Sequence, residues 1–254
     1  MDIERLIDEV TREVQPLIAG SRGSETSVTR PWEIASRLEH SLLNPNVTRE
    51  YILAECVNAR GYSVASVCVA PFYVAAAYEA LRGSGVKVCA AIGFPHGCMS
   101  APAKLIEAIG CIENGAEELD VAVNISAVKS GDIADVGNDL KQITSAARGR
   151  AAVKAVFEHG VYSDAEKKNL LEMAYACRAE YVKIQNFLSG KGADVEDIRF
   201  VRKILGDNIR IKIDGGVKTA DRALELFEAG ADRIGLTATA AVVAEAETKE
   251  PLKK

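Results

Sequence analysis

Eight short apolar runs alternate with helical patterns along most of this chain, and this alternation limits the folds that it can adopt. Strands that alternate with helices form parallel sheets, and eight such units in about 220 residues match a closed (β/α)8 barrel. An open doubly wound sheet is the alternative, but no Gly-x-Gly-x-x-Gly motif follows the first run. The sequence therefore predicts an α/β TIM barrel. The runs lie at about residues 37–42, 63–70, 86–94, 117–125, 151–158, 181–187, 209–214 and 233–237.

Helix signals and flanking segments define the expected domain organisation. Ser163 and Glu166 have the spacing of a capping box that opens one of the connecting helices. An extra N-terminal helix is expected at about residues 2–19, followed by a loop at 20–33, and a charged tail is expected at 245–254. Because a chain of 254 residues can bury one full core, we expect a single domain over its whole length.

Composition and charge argue against several classes of function. The 31 basic and 36 acidic residues give a formal charge of −5, and no basic run resembles a surface that binds a nucleic-acid backbone. No apolar run reaches the roughly 18 residues of a membrane span, and the N-terminus lacks a signal-peptide pattern. The six cysteines form no Cys-x-x-Cys pair, so we expect a reducing cytoplasm.

Charged side chains occur inside several of the apolar runs, where a barrel normally buries branched aliphatic residues. Successive strand residues point to opposite faces, so the apolar members can pack against helices while the polar members point into the lumen. In residues 209–214, for example, three isoleucines alternate with three charged residues. The polar residues assigned to the lumen in this way are Asp120, Asn124, Lys154, Glu158, Lys183, Gln185, Arg210, Lys212 and Asp214.

Two lysines on neighbouring predicted strands indicate nucleophilic chemistry. Cations about 5 Å apart at an effective dielectric constant of about 20 repel by roughly 3 kcal/mol. Repulsion from Lys212 would therefore lower the pKa of Lys183 from about 10.4 towards about 8. A neutral lysine amine attacks carbonyl carbons and forms a Schiff base. With Asp120 as a proton relay, the sequence predicts a class I aldolase that needs no metal.

Two glycine-containing turns follow the seventh and eighth runs. Gly215 and Gly216 follow Asp214, and Gly235 lies just before Thr237. Turns at these positions hold phosphate in many barrels through backbone N–H groups and a helix N-terminus. Tight turns between a strand and a helix need glycine for purely geometric reasons as well, so both interpretations stay open.

Other interpretations of the polar residues also stay open. The lumen charges could form a self-neutralising cluster without catalysis, although such a cluster loses several kcal/mol of solvation per ion. A non-catalytic paralogue could use the lumen only to bind a sugar or another metabolite. His40, His96 and His159, all expected at C-terminal strand ends, could hold zinc. Cys68 could act as a nucleophile, although no histidine lies near it in the sequence.

Eight segments, taken in order, resemble the deoxyribose-phosphate aldolase family. The resemblance runs from about residue 36 to about residue 240. The segments are LEHSLLNP (38–45) with Thr48 after it, SVCVAP (66–71), IGFPHG (92–97), GAEELDVAVNI (115–125), VKAVFE (153–158), YVK (181–183), IKIDGGVKT (211–219) and AGADRIG (229–235).

This resemblance implies a role for each of three residues. It implies that Lys183 forms the Schiff base, that Lys212 perturbs it, and that Asp120 is the acid/base partner. The family joins acetaldehyde reversibly to glyceraldehyde 3-phosphate without a metal or organic cofactor, and the product is 2-deoxyribose 5-phosphate. A cytoplasmic lyase of carbohydrate metabolism is therefore expected, as a homodimer or homotetramer with a small aldehyde or sugar-phosphate substrate.

The chain departs from the family pattern around the expected substrate pocket. Asp214 stands where the family usually has serine, and Gln185 lies in a run where the family has small hydroxyl residues. Because a carboxylate disfavours a phosphate, we expect 2-deoxyribose 5-phosphate to be a poorer substrate than a neutral aldol. Further departures are Glu39 for aspartate, His96 for leucine, His159 for threonine, Asn186 and Phe187 after Gln185, and Leu236-Thr-Ala in the last turn. The expected substrate-binding residues are Glu39, Ser41, Cys68, Asn124, Lys154, Glu158, Gln185, Asp214, Gly215, Gly216, Gly235, Thr237, His96 and His159.

Overall fold

The structure, a computed structural model, describes residues 33–249 except residues 189, 191 and 193. Within these residues eight parallel strands close into a barrel and pair in chain order. Each strand lies within one of the predicted runs, so the predicted TIM barrel is confirmed. The strands are β1 Leu38–Leu42, β2 Ser66–Val69, β3 Lys87–Ile92, β4 Glu118–Ala122, β5 Ala152–Glu158, β6 Tyr181–Gln185, β7 Arg210–Asp214 and β8 Arg233–Leu236.

Helices form the outer layer of the barrel. Among the described helices, none is long and apolar enough to cross a membrane. The predicted helix at 2–19 and nearly all of the predicted loop at 20–33 fall outside the described residues. The described α-helices are α1 Arg49–Tyr62, α2 Val74–Leu81, α3 Ala101–Glu113, α4 Ile125–Lys129, α5 Ile133–Ala147, α6 Asp164–Ala176, α7 Val195–Leu205, α8 Ala220–Glu228 and α9 Thr239–Thr248.

Local sequence signals account for two helix boundaries. The Ser163 side chain accepts from the Glu166 N–H and the Glu166 side chain accepts from the Ser163 N–H, so the predicted capping box opens α6. The last helix extends through residues 245–248, which were predicted to belong to the charged tail. Glu245 explains this difference, because its side chain accepts from the Ala220 N–H at 2.9 Å and so ties α9 to the first turn of α8.

The alternation of polar and apolar residues along the strands sorts them between two environments. Ile211 and Ile213 of β7 are at most 1% exposed and belong to the apolar core between barrel and helices. Burying one such side chain contributes roughly 1.5–3 kcal/mol. Lys212 and Asp214, which have the opposite parity, are buried in the lumen, where the strand register places Lys183 beside Lys212. The fold thus collects charges from several strands at one place.

Candidate active site

A compact group of charged side chains fills the barrel lumen, and we call it the lumen cluster. Its four cations and four anions balance, so the cluster carries no net formal charge. Every member is buried or nearly so, the most exposed being Arg233 with a side-chain exposure of 12%. The members are Lys154, Lys183, Lys212, Arg233, Glu39, Glu118, Asp120 and Asp214.

Asp120 of β4 lies at the centre of the lumen cluster. Its Oδ1 accepts from Lys154 Nζ at 3.1 Å, and its Oδ2 accepts from Lys183 Nζ at 2.9 Å and Lys212 Nζ at 2.6 Å. The thiol of Cys89 also donates to Oδ1, at 3.3 Å. Burial alone would raise the pKa of Asp120, but the ammonium groups of Lys154 and Lys183 hold that pKa well below its usual range. Asp120 is therefore a carboxylate shared by three lysines.

Lys183 of β6 bridges two carboxylates. Its Nζ lies 2.9 Å from Asp120 Oδ2 and 2.6 Å from Asp214 Oδ2. Burial lowers the pKa of Lys183, but the charges of Asp120 and Asp214 outweigh burial and raise it. The predicted lowering of the pKa of Lys183 is therefore wrong for this arrangement. Repulsion from Lys212 is outweighed because two carboxylates approach Lys183 Nζ to within 2.9 Å.

Lys212 of β7 shows the opposite electrostatic behaviour. Its Nζ contacts Glu39 Oε1, lies 2.6 Å from Asp120 Oδ2 and lies 3.8 Å from Asp214 Oδ1. Burial lowers the pKa of Lys212 to about 8, with Asp214 opposing and Arg233 reinforcing the shift. The lysine pair thus has one raised and one lowered pKa, and the lowered pKa belongs to the lysine that was predicted to perturb its neighbour.

Lys154 of β5 occupies the part of the lumen where a metal ion could otherwise bind. Ligand atoms of Glu39, Cys68, Cys89 and Asp120 all lie within 4.8 Å of one another, a spacing that could hold a cation. The Lys154 ammonium already lies among them, 2.9 Å from Glu39 Oε2, 3.3 Å from Cys89 Sγ and 3.1 Å from Asp120 Oδ1. Its positive charge supplies the neutralisation that a metal would provide.

Two members of the lumen cluster were missed from the sequence. Glu118 Oε2 lies 2.6 Å from Lys154 Nζ, and Arg233 donates to Glu118 Oε1 at 3.4 Å and to Ser66 Oγ at 3.3 Å. Burial raises the pKa of Glu118, but the charges of Lys154 and Arg233 outweigh burial, so the pKa lies below its usual value. Strand parity could have identified both residues, because Glu118 lies two residues before Asp120 and Arg233 two residues before Gly235.

Two residues assigned to the lumen lie elsewhere. Arg210, the first residue of β7, is exposed, and its guanidinium stacks 4.1 Å from the centre of the Tyr181 ring. Asn124 lies beyond the end of β4, and its Oδ1 accepts from the Ala127 N–H at 3.1 Å as the cap of α4. Both predictions were wrong because they extended the strand alternation to positions where a strand begins or has already ended.

Polar groups without partners lie above Lys183, towards the C-terminal strand ends. Gln185 Nε2 donates to Glu158 Oε1 at 2.7 Å, and the Leu188 N–H donates to Glu158 Oε2 at 3.2 Å. Among the described residues, the buried atoms Gln185 Oε1, Asp214 Oδ1 and Ser41 Oγ have no hydrogen-bond partner. Buried polar atoms are normally paired, so the Gln185 and Asp214 oxygens can accept hydrogen bonds from a ligand in the lumen, and the Ser41 hydroxyl can accept or donate one.

A cavity of about 330 Å³ opens over the β1–β3 side of the lumen. Leu43 and Phe94 line it and also pack against a small buried group that includes Cys68, Cys89 and Ala91. Because Cys68 Sγ lies 3.8 Å from Asp120 Oδ2, the cavity floor borders the lumen cluster. The cavity walls are mainly apolar, with His96 and Glu107 as their polar members.

The turn after β7 is tightly packed. Gly215 and Gly216 have φ of 96° and 77°, values that favour glycine. A Cβ on Gly215 would lie 3.3 Å from the Phe187 ring, and one on Gly235 would lie 1.7 Å from Asp214 Oδ1. Thr237, the other residue predicted for this site, is exposed just after β8. The expected phosphate position is therefore bordered by a carboxylate and an aromatic ring as well as by backbone N–H groups.

The three histidines are held apart. His40 faces the helix layer, where Nδ1 lies 2.8 Å from Thr239 Oγ1 and Nε2 lies 2.8 Å from Glu55 Oε2. His159 is buried and its Nδ1 lies 2.6 Å from Asp197 Oδ1, whereas His96 is exposed in the wall of the 330 Å³ cavity. The described residues thus contain no three-histidine metal site. Their only group with metal-binding spacing is the one that surrounds Lys154.

Comparisons with known proteins agree with this geometry. No protein-family model matches the chain. A deoxyribose-phosphate aldolase of Halalkalibacterium halodurans is 41% identical over 211 residues, which cover 83% of this chain and 94% of that protein. The Caldanaerobacter subterraneus enzyme of the same name is 38% identical over 214 residues, covering 84% and 93%. The tetrameric deoxyribose phosphate aldolase of Aeropyrum pernix superimposes with a TM-score of 0.79 at 26% identity, covering 93% and 98%.

Proposed function

The chain belongs to the deoxyribose-phosphate aldolase family, and from that premise we propose that it cleaves and forms aldols through a Schiff base on Lys183. The products of cleavage would be acetaldehyde and an aldehyde acceptor, as for 2-deoxyribose 5-phosphate. The observation that carries this proposal is the shared carboxylate. Asp120 holds Lys183 and Lys212 at one point of the lumen, directly below the polar and apolar groups that a substrate would contact.

Lys183 is a better candidate for the nucleophile than Lys212, despite its raised pKa. Lys183 pairs with Asp214, the last residue of β7, so its contacts extend to the C-terminal strand ends. Lys212 contacts Glu39 near the start of β1 and feels the charge of Arg233, the first residue of β8. Barrel enzymes bind substrates at the C-terminal ends of their strands. A substrate that enters there meets Lys183 first.

The proposed reaction begins when the Lys183 ammonium loses a proton. The amine attacks the carbonyl carbon, the carbinolamine loses water, and a protonated imine remains on Nζ. In total, one ammonium and one aldehyde give one iminium and one water. Asp120 would relay protons in these steps. Its low pKa opposes this role at rest, but the conversion of Lys183 to an amine removes one of the cations that keep the pKa low.

The substrate phosphate, if present, would bind at the Gly215–Gly216 turn. Backbone N–H groups and the exposed Lys218 favour an anion there, as do the relatives named as deoxyribose-phosphate aldolases. Asp214 acts against it, because a carboxylate repels a phosphate dianion. Gln185 Oε1 and Ser41 Oγ are available for substrate hydroxyl groups. We therefore propose a hydroxylated aldol as the substrate, with a weaker preference for phosphate than the pattern of the turn alone would suggest.

Exposed apolar side chains point to self-association of the chain. We propose a homodimer or homotetramer, because Leu53, Val57 and Phe72 are 38%, 63% and 74% exposed and the Aeropyrum pernix relative is tetrameric. Light scattering on the purified chain measures the mass of the assembly and so distinguishes a dimer from a tetramer.

We also propose that residues 1–254 form one domain. The six free cysteines support the expected reducing cytoplasm.

Reductive trapping tests the proposed function. The protein is incubated with a panel of aldehydes that includes acetaldehyde, reduced with borohydride, and analysed by intact mass and peptide mapping. We expect one adduct per chain, on Lys183, and retro-aldol turnover of 2-deoxyribose 5-phosphate or 2-deoxyribose. Lys104→Met is a matched control, because Lys104 is also fully buried but its ion pair among the described residues is with Asp139, outside the lumen.

Several outcomes would contradict the proposal. An adduct on Lys212 would reassign the nucleophile to the lysine with the lowered pKa. A ligand-induced rise in Tm with neither adduct nor turnover would identify a non-catalytic metabolite-binding protein. Turnover that survives Lys183→Met would exclude a Schiff base at that residue.

A further inference from the structure

Two carboxylates hold the Lys183 ammonium, and they differ in how many other cations they contact. Asp120 also contacts Lys154 and Lys212, at 3.1 and 2.6 Å. Asp214 contacts Lys183 at 2.6 Å, and its next cation, Lys212, lies at 3.8 Å. We propose that Asp214 is the counter-ion of the protonated imine that forms on Lys183, an inference that rests on the proposed Schiff-base function.

The change in the number of donors on Nζ favours Asp214 over Asp120. An ammonium has three N–H donors, whereas a protonated imine keeps one. After the imine forms, Asp120 can remain paired with Lys154 and Lys212. Asp214 would lose its 2.6 Å contact with a cation and keep only the 3.8 Å contact with Lys212 among the described residues, and an undercompensated buried carboxylate is destabilising. The single N–H of the imine therefore points to Asp214 Oδ2.

The surroundings of Asp214 strengthen this interaction. Asp214 is 3% exposed, and Coulomb attraction is larger where water is excluded. Gly235 makes the position possible, because a Cβ there would lie 1.7 Å from Asp214 Oδ1. Among the described residues that Oδ1 atom accepts no hydrogen bond and its nearest ammonium, Lys212 Nζ, lies 3.8 Å away, so the contact with Lys183 is the shortest ion pair of this carboxylate.

The imine nitrogen faces other charged and titratable groups, and none of them replaces Asp214. The cations repel a positive imine, and the remaining anions are already paired with other cations or donors. These groups are Asp120 on β4, Lys154 and Glu158 on β5, Lys212 on β7, Arg233 on β8, Glu39 on β1, Cys68 on β2 and Cys89 on β3.

A counter-ion matters because only the protonated imine accepts the electron pair of the breaking carbon–carbon bond. The Lys183 ammonium and the aldehyde give an iminium and a water molecule, and Asp214 keeps its negative charge throughout. A carboxylate beside the imine nitrogen favours the protonated imine over the neutral one. With Asp214 in place, the imine therefore stays protonated and reactive to a higher pH. Its loss would leave the imine neutral and unreactive at alkaline pH.

A pH-jump trapping experiment tests this role. The imine is formed with acetaldehyde at pH 7, the sample is moved to a pH between 6 and 10, and a short pulse of cyanoborohydride reduces only the protonated imine. Peptide mapping then gives the initial rate of adduct formation on Lys183. We expect Asp214→Asn to reduce the rate at pH 9 about 10-fold relative to wild type, while the rates at pH 6 stay similar. Asp214→Glu, which keeps the carboxylate, should recover much of the wild-type rate at pH 9.

The controls separate this inference from general damage and from the proposed function. Asp139→Asn removes another largely buried carboxylate that pairs with a lysine, and its pH profile should match that of wild type. Asp214→Ser replaces the asparagine variant if that variant does not fold. Coincident profiles for wild type and Asp214→Asn, with adduct on Lys183 in both, would overturn the counter-ion role and leave the Schiff base standing. Absence of a Lys183 adduct in wild type would overturn both.

Discussion

Two buried lysines in this protein have very different surroundings. Lys104 of α3 is fully buried, and its Nζ lies 2.5 Å from Asp139 Oδ2 of α5 in an isolated pair outside the barrel. Lys183 is equally buried but shares Asp120 with Lys154 and Lys212. Gly93 leaves space for the stem of Lys104, since a Cβ there would lie 2.9 Å from Lys104 Cε. One lysine is enclosed by helix packing, and the other lies inside the barrel lumen between two carboxylates.

The difference shows that burial alone does not mark a reactive lysine. In the Lys104 pair, each charge has one partner, and breaking the pair would affect stability. In the lumen cluster, one carboxylate serves three ammonium groups, and the pKa of Lys183 rises while that of Lys212 falls to about 8. Shared carboxylates couple the protonation states of neighbouring residues, and such coupling is typical of sites that move protons.

The sharpest test of this comparison exchanges each lysine for methionine. We expect Lys183→Met to reduce turnover by on the order of 10⁴-fold, because it removes the nucleophile. Lys104→Met should retain most of its turnover at 25 °C but lose about 3 kcal/mol of unfolding free energy, because Asp139 is left without its cation. Steady-state kinetics and urea unfolding measure the two effects. Equal loss of turnover in both variants, with both folded, would remove the distinction.

Lys212→Leu tests the coupling inside the lumen cluster. Removal of a neighbouring cation should raise the pKa of Lys183 further, so less neutral amine is present at neutral pH. We expect kcat/KM at pH 7 to fall about 10- to 100-fold and the activity profile to move to higher pH. The difference in kcat/KM between Lys212→Leu and wild type should become smaller above about pH 8, because Lys212 of the wild type loses its charge there. Lys212→Arg keeps the cation and is the control, and a pH-independent loss would point to direct substrate binding.

Asp214→Ser tests whether the Asp214 carboxylate sets the preference between phosphorylated and neutral substrates. Removing the carboxylate beside the Gly215–Gly216 turn should favour the phosphorylated substrate, since a repulsive charge is lost. We expect the ratio of kcat/KM for 2-deoxyribose 5-phosphate over 2-deoxyribose to rise about 10-fold. Taking the ratio cancels any effect of Asp214 on the chemistry common to both substrates. A strong phosphate preference in wild type that serine leaves unchanged would show that Asp214 does not set specificity.

Chelation should have the smallest effect. We expect EDTA to leave the activity of the wild type unchanged, because a lysine ammonium neutralises the carboxylates around Lys154. Activity before and after dialysis against EDTA, with added zinc as a further arm, measures this. Strong inhibition that zinc reverses would instead point to a metal among Glu39, Cys68, Cys89 and Asp120.

Much of the site follows from strand parity. Once Asp120, Lys183 and Lys212 are assigned to the lumen faces of their strands, they have to meet inside a closed barrel. The same rule could have included Glu118 and Arg233. Parity fails for Arg210 and Asn124, because the alternation holds only inside a strand and the exact ends depend on caps and loop contacts.

The sequence by itself determined the barrel and the faces on which its charges lie, because backbone alternation and hydrophobic burial act on every residue in the same way. Only the tertiary structure decided which carboxylate pairs with which lysine. The pKa of a buried group depends on distances of a few ångströms, and those distances between Asp120, Asp214, Lys183 and Lys212 exist only after eight strands have closed around them.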